Sequence, residues 1–257
     1  MSKPVVLLLH GFLGCNDDWA QVAARLAECY CCLIVDLPAH GRSTTDLDRA
    51  PASVVLSGEF AEVAVMAVLD RLGVRRCAVV GYSMGGRLAM RLAQEHPDRF
   101  SHVCVLCGHP GLEDEEERGE RWRRDEERRD ELRAVAAAMQ QGDQGVWEAW
   151  LRRWYSQKLF GDIAGSDGFD ELLRRRRKGR PAELAEVVTG HSAGRLPHVW
   201  DWVRSCRVPA LYVAGEKDEK YWRVAELVGS EGSDRWQVHA VGGAAHAVLE
   251  EGGAEVA

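Results

Sequence analysis

Residues 76–96 read RCAVVGYSMGGRLAMRLAQEH. The first six residues form a short apolar run ending in glycine, the pattern of a buried strand, and the last ten space their apolar residues as a helix does. Only YSMGG separates the two, so the chain must turn sharply there. A G-x-S-x-G pattern between strand and helix is a nucleophile elbow. Gly81 and Gly85 carry no side chain where strand and helix approach each other, and Ser83 is pushed out at the helix N-terminus.

The same alternation continues outward. PVVLLL, CCLIVD, SHVCVLC, VPALYVAG and RWQVHAV are further strand-like runs, and residues 17–28 and 58–72 have helical spacing. Continuous apolar strands separated by helices predict an α/β fold whose mostly parallel sheet is covered on both faces. Between residues 111 and 197 the strand pattern gives way to Glu, Arg and Trp in helical stretches. This predicts a core formed by 1–110 and 198–257, with a helical lid, 111–197, inserted between two strands over their carboxyl ends, where ligands bind in open α/β sheets.

With 257 residues, 46% of them hydrophobic, the chain is long enough to bury one large core. A net charge of −7 argues against nucleic acid and membrane surfaces as partners, so an anionic ligand must meet locally placed arginines. The basic run RRRRKGR at 174–180 does not change that expectation. MSKPVVLLLHG is too short for a signal-peptide core or a membrane span, which leads us to expect a cytoplasmic protein without membrane insertion. Eight scattered cysteines, several within apolar runs, read as small buried hydrophobes, and the lone C-x-x-C of Cys104 and Cys107 falls in a strand with no second pair. No metal or cofactor is expected. A monomer or weak homo-oligomer acting on a small anionic molecule fits these features.

A serine nucleophile or base needs a histidine, and the histidine needs an orienting carboxylate, in the chain order Ser, Asp, His. Asp218 follows the VPALYVAG strand, and His246 follows VGGAA in the loop beyond the last strand. Glu216 and Glu219 are rivals to Asp218, with Glu219 expected to begin the next helix. His239 lies within a strand pattern and is expected to be structural. LLLHGFLG brings a second loop to the site, so the amides of Phe12 and Met84 are the expected oxyanion hole. His10 and Asp36 are expected to organise loops.

Arg87 stands four residues after Ser83, on the same helix face, and helical side chains lean toward the N-terminus. A guanidinium beside the elbow has either a protein carboxylate or a substrate carboxylate as its partner. Arg118 and Arg121 repeat the theme on one face of a lid helix, near an aromatic cluster that includes Trp154.

These residues also carry a resemblance. HGFLG, DLPAHGRS, GYSMGGR, GHPGL with ERWRRD after it, WLRRWYSQ, GHSAGRLPHVW and GEKDEKY together resemble the 2-succinyl-6-hydroxy-2,4-cyclohexadiene-1-carboxylate synthases of menaquinone and phylloquinone biosynthesis. The resemblance implies the α/β-hydrolase fold and a carbon–oxygen lyase. Such enzymes abstract a proton from 2-succinyl-5-enolpyruvyl-6-hydroxy-3-cyclohexene-1-carboxylate and expel pyruvate, with Ser83 as the base. It implies substrate-binding roles for Tyr82, Arg87, Arg118, Arg121 and Trp154. AAHAVLEEGG and PAHGRS depart from the family's commoner forms, and only eleven residues follow His246. A hydrolase of esters or of carbon–carbon bonds, and a non-catalytic binding module, are the competing readings.

Overall fold

The computed structural model describes residues 3–43, 51–143 and 145–256. All six strand-like runs form strands: β1 (Val5–Leu9), β2 (Cys31–Val35), β3 (Cys77–Tyr82), β4 (Phe100–Leu106), β5 (Ala210–Gly215) and β6 (Trp236–Val241). They make one sheet in the order β2-β1-β3-β4-β5-β6, and every pairing is parallel. Central strands of such a sheet are buried on both faces, which is why Leu7, Leu8 and Leu9 follow one another without a polar residue between them and are inaccessible to solvent.

The helices are α1 (Ala20–Leu26), α2 (Ala52–Val55), α3 (Gly58–Arg71), α4 (Met84–Glu95), α5 (Glu115–Gln140), α6 (Gly145–Tyr155), α7 (Phe169–Arg176), α8 (Pro181–Gly190), α9 (Trp200–Ser205), α10 (Glu219–Glu231), α11 (Val248–Glu251) and α12 (Gly253–Val256). Helix α4 packs against β1, β3 and β4, and α10 against β5 and β6. Between β4 and β5 the chain leaves the sheet as α5 to α8. These helices have a hydrophobic cluster of their own, containing Leu132, Trp147, Trp150, Leu151, Phe160, Phe169 and Leu173, which meets the core through Leu13 and Ala247. Helix α9 returns to the core, burying Trp200 and Val203 in the main cluster. Among the described residues no helix is long and apolar enough to cross a membrane.

The ends of the sheet follow from local chemistry. His10 Nε2 accepts from the Leu37 amide at 3.0 Å while Nδ1 donates to the Gly11 carbonyl at 2.8 Å, so one ring ties the loops after β1 and β2 together. The Asp36 carboxylate accepts from the amides of Asn16 and Arg42. The run 174–180 is divided among separate partners: Arg174 pairs with Glu171, Arg177 with Glu148, Arg180 with Glu183, and Arg175 and Arg176 with Asp18. β6 is followed by two helices of four residues each. Val248 and Leu249 nonetheless enter the core.

Candidate active site

Ser83 sits between β3 and α4 with φ 53° and ψ −109°, in the left-handed region that costs a non-glycine residue of order 1–3 kcal/mol. The neighbouring glycines make the turn possible. A Cβ on Gly81 would lie 2.1 Å from the Gly85 carbonyl oxygen, and one on Gly85 would lie 2.3 Å from that of Leu9. No side chain fits at either place, because backbone occupies the space.

His246 Nε2 lies 3.0 Å from Ser83 Oγ, and His246 Nδ1 lies 2.8 Å from Asp218 Oδ2. Asp218 is the N-cap of α10, where its Oδ1 accepts from the Tyr221 amide at 3.1 Å. The helix cap thus holds one carboxylate oxygen and leaves the other for the imidazole. Glu219 begins α10 and pairs with Lys158 at the surface, away from the histidine. His239, on exposed β6, faces Glu255 instead. Asp218 and His246 are 2% and 3% exposed, so the pair works in a water-poor setting where its hydrogen bond is strengthened.

Two hydrogen bonds from backbone amides hold the histidine loop. The Glu251 carboxylate accepts from the Ala245 amide at 2.9 Å, and the His246 amide donates to the Leu159 carbonyl of the inserted segment at 3.2 Å. The rings of Tyr221, Tyr82 and Phe160 surround the imidazole with centroids 4.6, 5.5 and 5.7 Å away. Tyr82 in turn needs Gly11 opposite it, where a Cβ would come within 2.9 Å of the phenol ring.

Cys107, Asp218 and His246 place three metal-ligand atoms within 4.8 Å of one another. Their chemistry does not suit a metal. A metal would have to break the His246–Asp218 hydrogen bond and take the proton of a Cys107 thiol that burial first, and then the Asp218 charge, pushes well above its usual range.

A cavity of about 240 Å³ opens above Ser83. Phe12, Tyr82, Met84, Arg87, Arg121, Trp154 and His246 all line it. Met84 is the first residue of α4, so its amide has no intrahelical acceptor and is available to an oxyanion. Trp154 stacks on Trp150 at 5.4 Å and meets the edge of Phe12 at 5.6 Å. Arg118 is elsewhere. It lies one turn nearer the start of α5, outside the cavity lining, and donates to the Arg195 carbonyl at 3.3 Å.

The cation set is larger than sequence reading indicated. Arg87, Arg121, Arg124, Arg128, Arg176 and Lys220 line the cavity against three acids, Asp18, Asp125 and Glu250, an excess of three positive charges. Arg121 is bonded to Asp125 at 2.8 Å, which outweighs the effect of burial and raises its pKa. Arg176 is bonded to Asp18 at 2.7 Å and to the Tyr155 hydroxyl at 2.8 Å. Arg128 lies over the Trp154 ring at 4.8 Å and donates to Glu131. Among the described residues, Arg87, Arg124 and Lys220 have no carboxylate partner. Burial, and after it the repulsion of Arg121, lowers the Arg87 pKa to about 10, which leaves it charged at neutral pH. The signal for Arg124 and Arg128 was their continuation of the Arg121 stripe at helical spacing. Arg176 had no such signal, since nothing in a run of four arginines says which one turns inward.

Comparison with known proteins agrees with this architecture. Residues 4–252 match the model of the alpha/beta hydrolase fold. The chain is 33% identical over 230 residues to the 2-succinyl-6-hydroxy-2,4-cyclohexadiene-1-carboxylate synthase of Pectobacterium atrosepticum, covering 88% of this chain and 83% of that one. It is 28% identical over 224 residues to the chloroplastic protein PHYLLO of Arabidopsis thaliana, a match that takes in 86% of this chain but only 12% of that much longer protein. The solved structure of MenH from S. aureus superposes with a TM-score of 0.86 at 22% identity, covering 100% of this chain and 91% of the other. The chain therefore belongs to the 2-succinyl-6-hydroxy-2,4-cyclohexadiene-1-carboxylate synthase family of α/β-hydrolases.

Proposed function

We propose that this enzyme is a lyase that removes pyruvate from 2-succinyl-5-enolpyruvyl-6-hydroxy-3-cyclohexene-1-carboxylate, forming 2-succinyl-6-hydroxy-2,4-cyclohexadiene-1-carboxylate in quinone biosynthesis. The observation that carries the proposal is Arg87: a charged guanidinium one helical turn from Ser83, lining the cavity, with no protein carboxylate to pair with among the described residues. Even partly buried, a cation without a partner is costly. A ligand carboxylate relieves that cost, and the substrate bears three.

In this mechanism Ser83 Oγ passes its proton to His246 Nε2, and Asp218 stabilises the resulting imidazolium through Nδ1. The serine oxygen takes a ring proton from the substrate. The electron pair of that C–H bond, at C2, forms the C2–C3 double bond, the ring's C3–C4 double bond shifts to C4–C5, and the C5–O bond breaks, so the enolpyruvyl oxygen departs with the electrons. The enolate takes the proton held on His246 to become pyruvate, and neutral His246 and Ser83, which keeps the ring proton as its hydroxyl, are both restored. The amides of Phe12 and Met84, residues that line the cavity, would receive negative charge developing on an oxygen. Arg87, Arg121 and Arg124 hold carboxylates, while Tyr82 and Trp154 flank the ring.

The same triad geometry would serve an ester hydrolase, for which the cation wall has no role. Incubating wild-type protein with the enolpyruvyl substrate and, separately, with short acyl esters discriminates the two. Pyruvate release with slow ester turnover is expected. Rapid ester turnover with no pyruvate would overturn the proposal.

A further inference from the structure

Two histidines in the cavity, His191 buried and His109 partly buried, have no part in the triad. His109 lies on the loop after β4, and its Nδ1 accepts from the Gly111 amide at 3.0 Å. In the neutral ring the hydrogen must then sit on Nε2, for which no acceptor is present among the described residues. His191 follows the last turn of α8 and is 6% exposed, with no hydrogen bond from its ring to any described residue. Its nitrogens are open to the cavity: among the described residues the side-chain polar atoms that are both sealed and unpartnered belong to Trp19, His40, Trp147 and His198.

We infer that His109 and His191 complete, with Arg87, a single carboxylate-binding pocket, in which each imidazole donates one N–H to the anion that the guanidinium holds. This deepens the reading of an anionic substrate and rests on it. All three side chains line the same cavity, and they arrive from three separate elements: α4, the β4 loop and the end of α8. Burial first, then Lys220, Arg87 and Arg121, depresses the His109 pKa to about 3. Burial and then Arg87 does the same for His191, also to about 3. Both rings are therefore uncharged at neutral pH, and each carries one N–H.

The pocket so formed contains a guanidinium with donors only, a His109 Nε2–H and one N–H of His191. Ionised carboxylates are acceptors only, with about four lone-pair sites. The donor set and the ligand are complementary in both charge and hydrogen bonding. Neutral donors have a specific advantage at this position, because a further cation would repel Arg87 and Arg121, whereas an imidazole adds a hydrogen bond without adding charge. Specificity follows from the same groups. A neutral ester or amide in place of the carboxylate would leave part of the donor set unpaired.

Succinate binding to the full-length protein, measured by calorimetry, tests the inference without turnover. His109→Phe and His191→Phe keep a ring and remove the N–H. Each is expected to weaken succinate binding by about 10-fold or more, the range for a hydrogen bond to a charged acceptor. His109→Gln and His191→Gln restore a donor and should recover part of the loss, while dimethyl succinate should not bind wild type. His→Leu at each position serves where the Phe variant does not fold, with thermal unfolding read in parallel. Unchanged succinate affinity in folded donor-less variants, or no succinate binding by wild type, overturns the inference. Wild-type protein that binds succinate in a histidine-dependent way but releases no pyruvate would sink the lyase proposal and leave this pocket standing.

Discussion

The wall of the cavity built by the sheet satisfies its polar groups internally. Ser83, His246 and Asp218 are joined by hydrogen bonds of 3.0 and 2.8 Å, and Asp218 also caps α10. The wall built by α4, the loop after β4 and the inserted helices has unpaired polar groups: among the described residues Arg87 and Arg124 lack a carboxylate and the His109 and His191 rings lack an acceptor. One wall is complete without a ligand and the other is not. That division assigns chemistry to the first and recognition to the second, and it implies that the two should fail differently when altered.

The largest effect separating them is expected at Asp218. Asp218→Asn removes the charge that orients and stabilises the imidazole, and kcat should fall by about 10⁴ with KM little changed. A large rise in KM with kcat preserved would place Asp218 among the recognition groups and break the comparison. Arg124→Ala should do the reverse, raising KM about 10-fold through the loss of one charged hydrogen bond while kcat holds. The lower end of the range applies because Arg124 is exposed and water screens it. Arg118→Ala, on the same helix but outside the cavity, is the control, and steady-state kinetics indistinguishable from wild type are expected.

The smallest effect concerns the departure PAHGRS. Ala39 adopts φ 66°, a conformation that favours glycine, and it is fully buried. Ala39→Gly relieves about 1–2 kcal/mol of backbone strain but loses about 0.8 kcal/mol of methyl burial and restores flexibility to the unfolded chain. These contributions offset one another, so denaturant titration should find a stability change of under about 1 kcal/mol. A loss of several kcal/mol would mean that the methyl group fills a space on which the β2 loop depends.

How much of this was legible in the sequence depended on the range over which each feature is specified. The strands could be read from local apolar runs, and the elbow from two glycines within five residues. The order Asp218 then His246 followed from where strands end. Arg118 and Arg121 share a helix face, but which turn of that face overlies the cavity depends on how α5 docks on α8, a tertiary contact with no local pattern. Arg176 was hidden in a basic run whose other arginines pair within the inserted segment or, for Arg175, with Asp18 of the core. His109 and His191 belong to motifs far apart in the chain, and only folding brings them to the wall that holds Arg87. The Leu159 carbonyl that helps hold the His246 loop was not visible, because it comes from the inserted segment.

The most direct test of the central claim is pyruvate release from the enolpyruvyl substrate by wild type, Ser83→Ala and Arg87→Ala, followed over time at saturating and limiting substrate. Ser83→Ala should lose about 10⁴ to 10⁶ in kcat, as when a member of a triad acting as a unit is removed. Arg87→Ala should lose mainly in kcat/KM, by about 10- to 100-fold. Pyruvate release undiminished in both variants would contradict the account.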